Sequence, residues 1–464
     1  MIEECDILCD EPPVNPDLSH CTAATRNACK LCTPLGACLV YRGVRGAIPF
    51  LHGSQGCSTY IRRYLISHFR EPMDIAASNF SEDTAVFGGA KNLETGMANV
   101  SRQYRPELIG LATTCLSETI GEDMPGLVAG CREKVANLPP VVQVSTASYR
   151  GSHIDGFHDC VTALVDQLAE TTVPHGGLNL LPGMVSTADL RHLHELAECF
   201  GFAVTMLPDY SDTLDGATWV DYEALPAGGT GIEAIRAMAG ARATLELGDS
   251  LRGKPRSAGS LLEQRFGVEK VGLTLPVGIS ATDDFLDALA RISGKETPID
   301  LTAERGRLVD SVVDAHKITF GKRAIVFGES DLVIGLVSFL CEIGVQPVLV
   351  ACGGTTGNFE TALRAAVPEL PADVRIRDGA DFADISHEAH QLAPDLLVGN
   401  SKGYGLAREL GIPLIRTGFP IHDRIGGQRV LHLGYRGAQT LFDSIANALL
   451  EHKQATSTIG YSYL

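Results

Sequence analysis

The amino-acid sequence predicts an α/β protein with mainly parallel sheets, and three observations support this class. Short apolar runs, each about as long as a buried strand, recur along the chain. A Gly, Pro or polar turn follows each run, and a longer amphipathic stretch often comes next. Strands that helices cover on both faces are apolar throughout, so this alternation is typical of parallel α/β sheets. The predicted strands are 108–112, 141–144, 178–181, 203–207, 324–327, 347–350, 396–398 and 414–415.

The alternation restarts twice along the chain, which predicts three Rossmann-like domains. We place an N-terminal extension at 1–30, the first domain at 31–170, the second at 171–300, and the third, with a C-terminal tail, at 301–464. The first strand of the third domain leads into Gly328 and then a helix, but the other glycines of the dinucleotide fingerprint are absent. No Walker A motif occurs either, so we expect no nucleotide hydrolysis by this chain.

Composition and charge argue against several functions. The formal net charge of −18 disfavours a nucleic-acid partner, because phosphate binding needs a basic surface. No apolar stretch is long enough to span a bilayer, so we expect no membrane association. The N-terminus is acidic and lacks the basic and apolar regions of a signal peptide, which predicts a cytoplasmic location. In that compartment the 13 Cys are expected to be thiols or metal ligands rather than disulfides.

Three cysteines stand out because each lies in a loop that leads into a predicted helix. Cys32 precedes the turn TPLGA, Cys57 closes the Gly-rich turn 53–56, and Cys115 follows the predicted strand 108–112. Ligands of open α/β sheets bind at the carboxyl ends of strands, and helix N-termini stabilise anions such as thiolates. Iron–sulfur clusters and zinc both favour thiolate ligands. Three thiolates do not complete a large iron–sulfur cluster, so a partner chain or another residue must supply the rest.

The remaining cysteines have a simpler interpretation, because a free Cys usually behaves as a small buried hydrophobe. We apply this expectation to Cys38, Cys131, Cys160, Cys199, Cys341 and Cys352. Four more lie in a Pro-rich N-terminal segment, and their roles stay open: Cys5, Cys9, Cys21 and Cys29.

A set of short motifs runs along nearly the whole chain. They are CTPLGA (32–37), HGSQGC (52–57), HFREP (68–72), EDTAVFGG (82–89), TTCLSE (113–118), SYRGSH (148–153), ERGRLVD (304–310), GNSK (399–402) and IRTGFPIHDR (415–424). Cys57 follows Cys32 by 25 residues, and Cys115 follows Cys57 by 58. In sequence and in spacing, this set resembles the β-subunit of nitrogenase component 1.

The resemblance implies a fold, a cofactor and partners. The fold is that of nitrogenase component 1, with three Rossmann-like domains in each subunit. Cys32, Cys57 and Cys115 would be the β-side ligands of a P-cluster-type iron–sulfur centre (8Fe-7S). A homologous α-subunit, in an α2β2 heterotetramer, would supply the other thiolates.

The same resemblance assigns two further residues. Ser148 matches the family's redox-dependent serine ligand. Its other interpretation is a hydroxyl that satisfies the backbone at a strand end. Phe87 matches the family's surface aromatic residue at the docking site for a homodimeric, ATP-dependent iron protein. A Phe in the ordinary core is the alternative there.

The middle of the chain departs from the dinitrogenase β-subunit. LPG (181–183), LPDYSD (207–212), LDG (214–216) and GGT (228–230) look more like the N subunit of the nitrogenase cofactor scaffold. That subunit lacks most P-cluster cysteines, whereas all three are present in this chain. The combination resembles the β-type subunit of methylthio-alkane reductases, nitrogenase-like enzymes that reductively cleave carbon–sulfur bonds. We therefore predict an oxidoreductase subunit that relays electrons from the iron protein to a larger iron–sulfur cofactor in the α-subunit.

Three alternatives stay open at this point. The chain is a dinitrogenase β-subunit that reduces N2, or a non-catalytic scaffold for cofactor assembly, which predicts a smaller cluster and no turnover. A subunit of a nitrogenase-like tetrapyrrole reductase matches these motifs less well. No acid–base pair for substrate chemistry is identifiable, and His52, His68 and His153 are either proton relays or structural residues.

Overall fold

The structure, a computed structural model, describes residues 29–221, 223–254 and 256–459. Within this part of the chain every pair of neighbouring strands is parallel. The strands form three sheets that occupy successive stretches of sequence. This architecture confirms the predicted α/β class, while the domain boundaries stay a prediction. None of the helices in the described ranges is both long enough and apolar enough to cross a membrane.

The first sheet has the order β2-β1-β3-β4, and its two central strands are buried along their whole length. Its strands are β1 (Ala47–His52), β2 (Ala76–Ala77), β3 (Leu108–Thr113) and β4 (Val141–Val144). The accompanying helices are α1 (Thr33–Arg42), α2 (Gln55–Phe69), α3 (Glu82–Phe87), α4 (Ala90–Tyr104), α5 (Cys115–Thr119), α6 (Met124–Lys134) and α7 (His153–Leu168).

The second sheet repeats this topology, with the order β6-β5-β7-β8. Its strands are β5 (Leu178–Leu181), β6 (Val204–Met206), β7 (Ala243–Leu247) and β8 (Glu269–Leu273). The helices of this region are α8 (Thr187–Cys199), α9 (Ile232–Ala237), α10 (Ala258–Phe266) and α11 (Ser280–Ser293). Short 3-10 helices occur at Met238–Gly240 and Asp249–Leu251.

The third sheet has the order β11-β10-β9-β12-β13. Its strands are β9 (Arg323–Gly328), β10 (Gln346–Cys352), β11 (Arg375–Asp378), β12 (Leu396–Gly399) and β13 (Leu414–Arg416). Its helices are α12 (Ile299–Thr319), α13 (Ser330–Glu342), α14 (Phe359–Ala366), α15 (Phe382–Leu392), α16 (Tyr404–Leu410) and α17 (Gly434–Thr456), with 3-10 helices at Ser401–Gly403 and Gly427–Arg429.

Helices α1 and α7 cross so closely that only glycine fits at their contact. A Cβ atom on Gly36 of α1 would overlap the carbonyl oxygen of His153, and one on Gly156 of α7 would overlap that of Thr33. Backbones approach this closely only where no side chain intervenes. The crossing brings the start of α1 beside the loop that precedes α7. Cys32 and Ser148 lie on these two segments, so the contact positions both of them.

Candidate metal centre

The carboxyl ends of β1 and β3 form the switch point of the first sheet. The two strands are neighbours, but β2 lies on the far side of β1 and β4 on the far side of β3. The chain therefore leaves the two strands in opposite directions and opens a crevice between them, where open α/β sheets bind ligands. Cys57 follows β1 after a short turn, and only Thr114 separates Cys115 from the end of β3. Cys115 therefore lies at the carboxyl end of the predicted strand, whereas the strand before Cys57 was not predicted.

Cys115 is the first residue of α5, so it begins the helix rather than lying in the loop before it. Thr114 caps this helix, and its backbone N–H donates to Ser117 Oγ at 3.0 Å. The half-buried Cys115 thiol accepts a hydrogen bond from the backbone N–H of Ser148, with a distance of 3.2 Å between N and Sγ. This bond links the loop after β4 to the first residue of α5.

Cys57 lies in the first turn of α2. That helix begins at Gln55, so Cys57 lies inside the helix rather than in the loop before it. The side chain is partly buried, and its Sγ lies 3.6 Å from the Oγ of Ser54, the residue at the N-cap. Gly56 has open space where a Cβ would stand. The turn is therefore uncrowded on that side.

Cys32 is the N-cap residue of α1, and its side chain is exposed. Surrounding protein nevertheless removes part of the water near the thiol, and this desolvation raises the Cys32 pKa. A hydrogen bond from the Ser148 side chain opposes that shift, while the charges of Cys57 and Cys115 raise the pKa further. Coulomb interactions weaken with distance, so these contributions indicate that the three thiols are near one another. Ser148 contacts two of them.

The chemistry of these donors fits an iron–sulfur cluster. The site offers three free thiols and one hydroxyl, and all three thiols retain solvent exposure. Cysteine thiolates are the usual ligands of such clusters. In the residues that the structure describes, no three His, Cys, Asp or Glu side chains are arranged to hold a single metal ion. The ligand roles of Cys32, Cys57, Cys115 and Ser148 stay predictions.

Phe87 ends the short helix α3 and is 85% exposed, which excludes the ordinary core position considered as its alternative. The neighbouring Val86 is 75% exposed. Val86 and Phe87 together form an exposed apolar patch on the surface of the first domain, which we call the Phe87 turn.

Most of the other cysteines behave as expected. Cys38, Cys131, Cys160 and Cys352 are buried, and Cys341 is partly buried. Cys199 is exposed at the end of α8, so the expectation of a buried thiol is wrong there. Cys29 is buried, and desolvation raises its pKa to about 12. Cys5, Cys9 and Cys21 lie outside the described residues.

The three histidines considered as proton relays, His52, His68 and His153, are buried. His52 ends β1, and its Nε2 bonds a carboxylate oxygen of Glu122, a residue that sequence reasoning missed. Burial lowers the pKa of His52, although Glu122 opposes the shift. His153 Nδ1 accepts from the backbone N–H of Leu31 at 3.2 Å, which fixes the residue before Cys32. His68 packs in the interior near the third domain. Each histidine therefore has a structural contact.

A parallel α/β fold with thiols at a sheet switch point is an arrangement in which an iron–sulfur cluster could bind. A family model described as nitrogenase component 1 type oxidoreductase matches residues 32–450. The chain belongs to this nitrogenase component 1 family and is an oxidoreductase subunit of the β-chain type.

Relatives from two organisms agree with this assignment over nearly the full chain. The nitrogenase molybdenum-iron protein beta chain of Clostridium pasteurianum is 36% identical over 430 residues, covering 92% of this chain and 93% of the relative. That of Methanothermobacter thermautotrophicus is 36% identical over 434 residues, covering 90% and 93%. A solved structure titled nitrogenase Cp1 at pH 6.5 is 34% identical with a TM-score of 0.92, covering 97% of this chain and 98% of that one.

Proposed function

We propose that the chain is the β-type subunit of a two-component reductase and that it holds half of a P-cluster-type 8Fe-7S centre. The observation that carries this proposal is the convergence of Cys32, Cys57 and Cys115 with Ser148. The thiols keep solvent exposure on this chain, which suits a cluster completed from outside it. A homologous α-subunit would supply the remaining thiolates, in a cytoplasmic α2β2 heterotetramer.

Ser148 would act at this centre in two ways. Its backbone N–H already bonds Cys115, and its hydroxyl bonds Cys32. Hydrogen bonds to ligand sulfur stabilise the thiolate form and tune the potential of a bound cluster. We propose that the same hydroxyl becomes a ligand when the centre is oxidised. Its position beside two ligand sulfurs supports this role.

Electrons would reach the centre from an ATP-dependent iron protein docked on the Phe87 turn. Exposed aromatic residues are frequent anchors of protein interfaces, because they bury a large area at a small cost in conformational entropy. The bound cluster would store the electrons and pass them on to a larger iron–sulfur cofactor in the α-subunit. The chain's own residues hold the ligands and shield part of the site from water.

The substrate proposal has two candidates. The scaffold-like middle segment with all three cysteines favours reductive carbon–sulfur cleavage of methylthio-alkanes. Relatives named nitrogenase molybdenum-iron protein beta chain favour dinitrogen. Assays of the purified complex with its iron protein, on dimethyl sulfide and dinitrogen in parallel, separate them. Hydrocarbon release supports the first candidate, ammonia without hydrocarbon supports the second, and neither product would favour the assembly scaffold.

Replacing one ligand tests the cluster proposal directly. In the purified complex, Cys115→Ala should remove the spectroscopic signal of the interface cluster and abolish electron delivery. Cys199→Ala is the matched control, because this exposed thiol lies in the second domain, away from the site. A Cys115→Ala complex that keeps its signal and its electron transfer would show that the ligand assignment is wrong.

Replacing the exposed aromatic tests docking. Phe87→Ala should raise the iron-protein concentration for half-maximal turnover by about tenfold, the loss expected for an interface anchor. Val220→Ala is the control, because Val220 is 97% exposed in the second domain. Turnover that is equally insensitive to both changes would contradict docking at Phe87.

A further inference from the structure

A buried carboxylate, that of Glu122, contacts the backbone just after the Phe87 turn. The turn is followed by Gly88 and Gly89, where Gly88 has a φ of +88° that favours glycine. The backbone N–H of Gly89 donates to Glu122 Oε1. A side chain at Gly89 would collide with the Phe80 ring, 2.5 Å from its Cβ. The backbone after the turn is therefore packed closely against the Phe80 ring, and its Gly89 N–H is bonded to the Glu122 carboxylate.

The second oxygen of the same carboxylate bonds His52 Nε2. The Glu122 side chain is 8% exposed and the His52 side chain is fully buried. The His52 ring also packs edge-to-face on Phe80, with the ring centroids 4.8 Å apart. Glu122 thus uses both oxygens inside the protein, one toward the Phe87 turn and one toward the end of β1. A carboxylate in these surroundings is geometrically fixed, because each of its bonds is charge-assisted and shielded from water.

The backbone of His52 in turn holds the loop of Cys115. Its carbonyl oxygen accepts from the Thr114 N–H at 3.1 Å, the Thr114 hydroxyl at 3.2 Å and the Ser117 hydroxyl at 2.8 Å. These donors lie on both sides of Cys115. The next residue, Gly53, begins the turn to Cys57, and a Cβ there would overlap the Thr114 side chain. The two cysteine loops are therefore packed directly on each other.

We propose that Glu122 is a positioning residue that fixes the Phe87 turn relative to the loops of Cys57 and Cys115. This inference rests on the proposed docking of the iron protein at Phe87. The connection runs from Gly89 through Glu122 and His52 to Thr114 without an intervening solvent gap. Electron transfer between docked proteins depends on the separation of their redox centres, and Glu122 sets the part of that geometry that lies within this chain.

A double-mutant cycle in the complete reductase tests this role, because coupled residues give non-additive effects. Glu122→Ala should raise the iron-protein concentration for half-maximal turnover by five- to tenfold. In the double variant, Phe87→Ala should raise this concentration by less than a further twofold over Glu122→Ala alone, because the turn is already misplaced. Glu122→Gln keeps an acceptor for the Gly89 N–H and should retain most of the wild-type value.

Two further readouts distinguish positioning from a general structural role. Reduction of the cluster by dithionite needs no docked protein, so its rate and the cluster's paramagnetic resonance signal should stay within twofold of wild type in Glu122→Ala. Asp123→Asn is the matched control, because this exposed neighbour only caps α6 through the Gly126 N–H and Asn caps equally well.

Three outcomes would overturn the inference, and they differ from one another. If the effects of Glu122→Ala and Phe87→Ala multiply independently, docking at Phe87 is still supported, but the coupling between the two residues is contradicted. Parallel loss of cluster signal and dithionite reduction in both Glu122 variants would make the residue merely structural. A wild-type response of Phe87→Ala would show that docking occurs elsewhere, and the inference would fall with the docking proposal.

Discussion

Ser148 contacts two cysteines through two different groups. Its backbone N–H donates to Cys115, and its hydroxyl contacts Cys32. The bond between the N–H and the Cys115 sulfur depends only on the backbone, so any residue at 148 except proline can make it. The bond to Cys32 depends on the hydroxyl and lowers the pKa of that thiol, against the larger effect of desolvation. The two contacts can therefore be separated by mutation.

Removing the hydroxyl should raise the pKa of Cys32 further. A hydrogen bond to the thiolate favours its charged form, so loss of this bond makes the Cys32 thiol harder to ionise. In the chain without its cluster, Ser148→Ala should therefore slow iodoacetamide labelling of Cys32 at pH 8 several-fold, as followed by mass spectrometry. Ser145→Ala should not, because the Ser145 hydroxyl bonds Glu118. Equal labelling in both variants would contradict the hydrogen bond.

At the scale of elements, the crossing of α1 and α7 determines whether the site can form. Gly36 faces the backbone of α7, where a methyl group has no flexible side chain to displace. Overpacking of this kind costs about 1 to 3 kcal/mol, and more where backbone must move. The same contact fixes the N-cap of α1, which is Cys32. Stability and ligand geometry should therefore change together.

Gly36→Ala should lower the free energy of unfolding by about 3 kcal/mol, as measured by denaturant titration. Gly130→Ala is the matched control in the same domain. Gly130 lies inside α6 with open space around the position of its Cβ, so Ala should stabilise the helix there by up to about 1 kcal/mol. A neutral Gly36→Ala substitution would contradict the close helix crossing.

Sequence patterns predicted the strands that coincide with short apolar runs, and all of them are present within two residues at each end. They missed β1, which contains Pro49, and the two-residue β2. They missed the edge strands β8 and β11, which are partly exposed and carry charged residues. They also missed β7, whose buried Glu246 pairs with Lys270 at 2.7 Å. Contacts with residues distant in sequence stabilise such strands, and a local sequence pattern does not reveal these contacts.

The same distinction applies to the site. Cys32, Cys57 and Cys115 could be predicted as candidate ligands because each precedes or begins a helix, where a thiolate is stabilised. Glu122 was missed because one acidic residue in a short surface loop carries no signal. Its proposed role depends on two partners, Gly89 and His52, which lie 33 and 70 residues away in sequence.

For the molecule as a whole, buried polar contacts join the three domains. Asp331 of the third domain bonds His158 of the first at 3.2 Å and accepts from the backbone N–H of Ser250 of the second at 2.7 Å. Burial raises the pKa of Asp331, but the bonds and charge of His158 lower it more, so the net shift is downward. Stability from such a carboxylate is present above its unfolded pKa, about 3.9, and is lost only in stronger acid.

His68 responds in a different pH range. This fully buried residue accepts a hydrogen bond from the Ile421 N–H of the third domain at 3.0 Å. Burial lowers its pKa to about 3, and the positive charges of His422, Arg70 and His432 add to the effect. An unfolded His takes up a proton near pH 6.5, whereas the folded one does not. Its contribution to stability is therefore complete above pH 6.5 and falls as the pH drops toward 3.

Replacing His68 should flatten the pH dependence of stability in mild acid. Below pH 6.5, one buried histidine that stays neutral lowers the free energy of unfolding by up to about 1.4 kcal/mol per pH unit. At pH 5 the loss is about 2 kcal/mol. His68→Gln supplies an acceptor that does not titrate, so its free energy of unfolding should change less than that of wild type between pH 7.5 and pH 5. His390→Gln, at an exposed position on α15, should behave like wild type. Denaturant titrations at both pH values measure the free energy of unfolding. Equal decreases in wild type and both variants would rule out His68 as the acid-sensitive contact between the first and third domains.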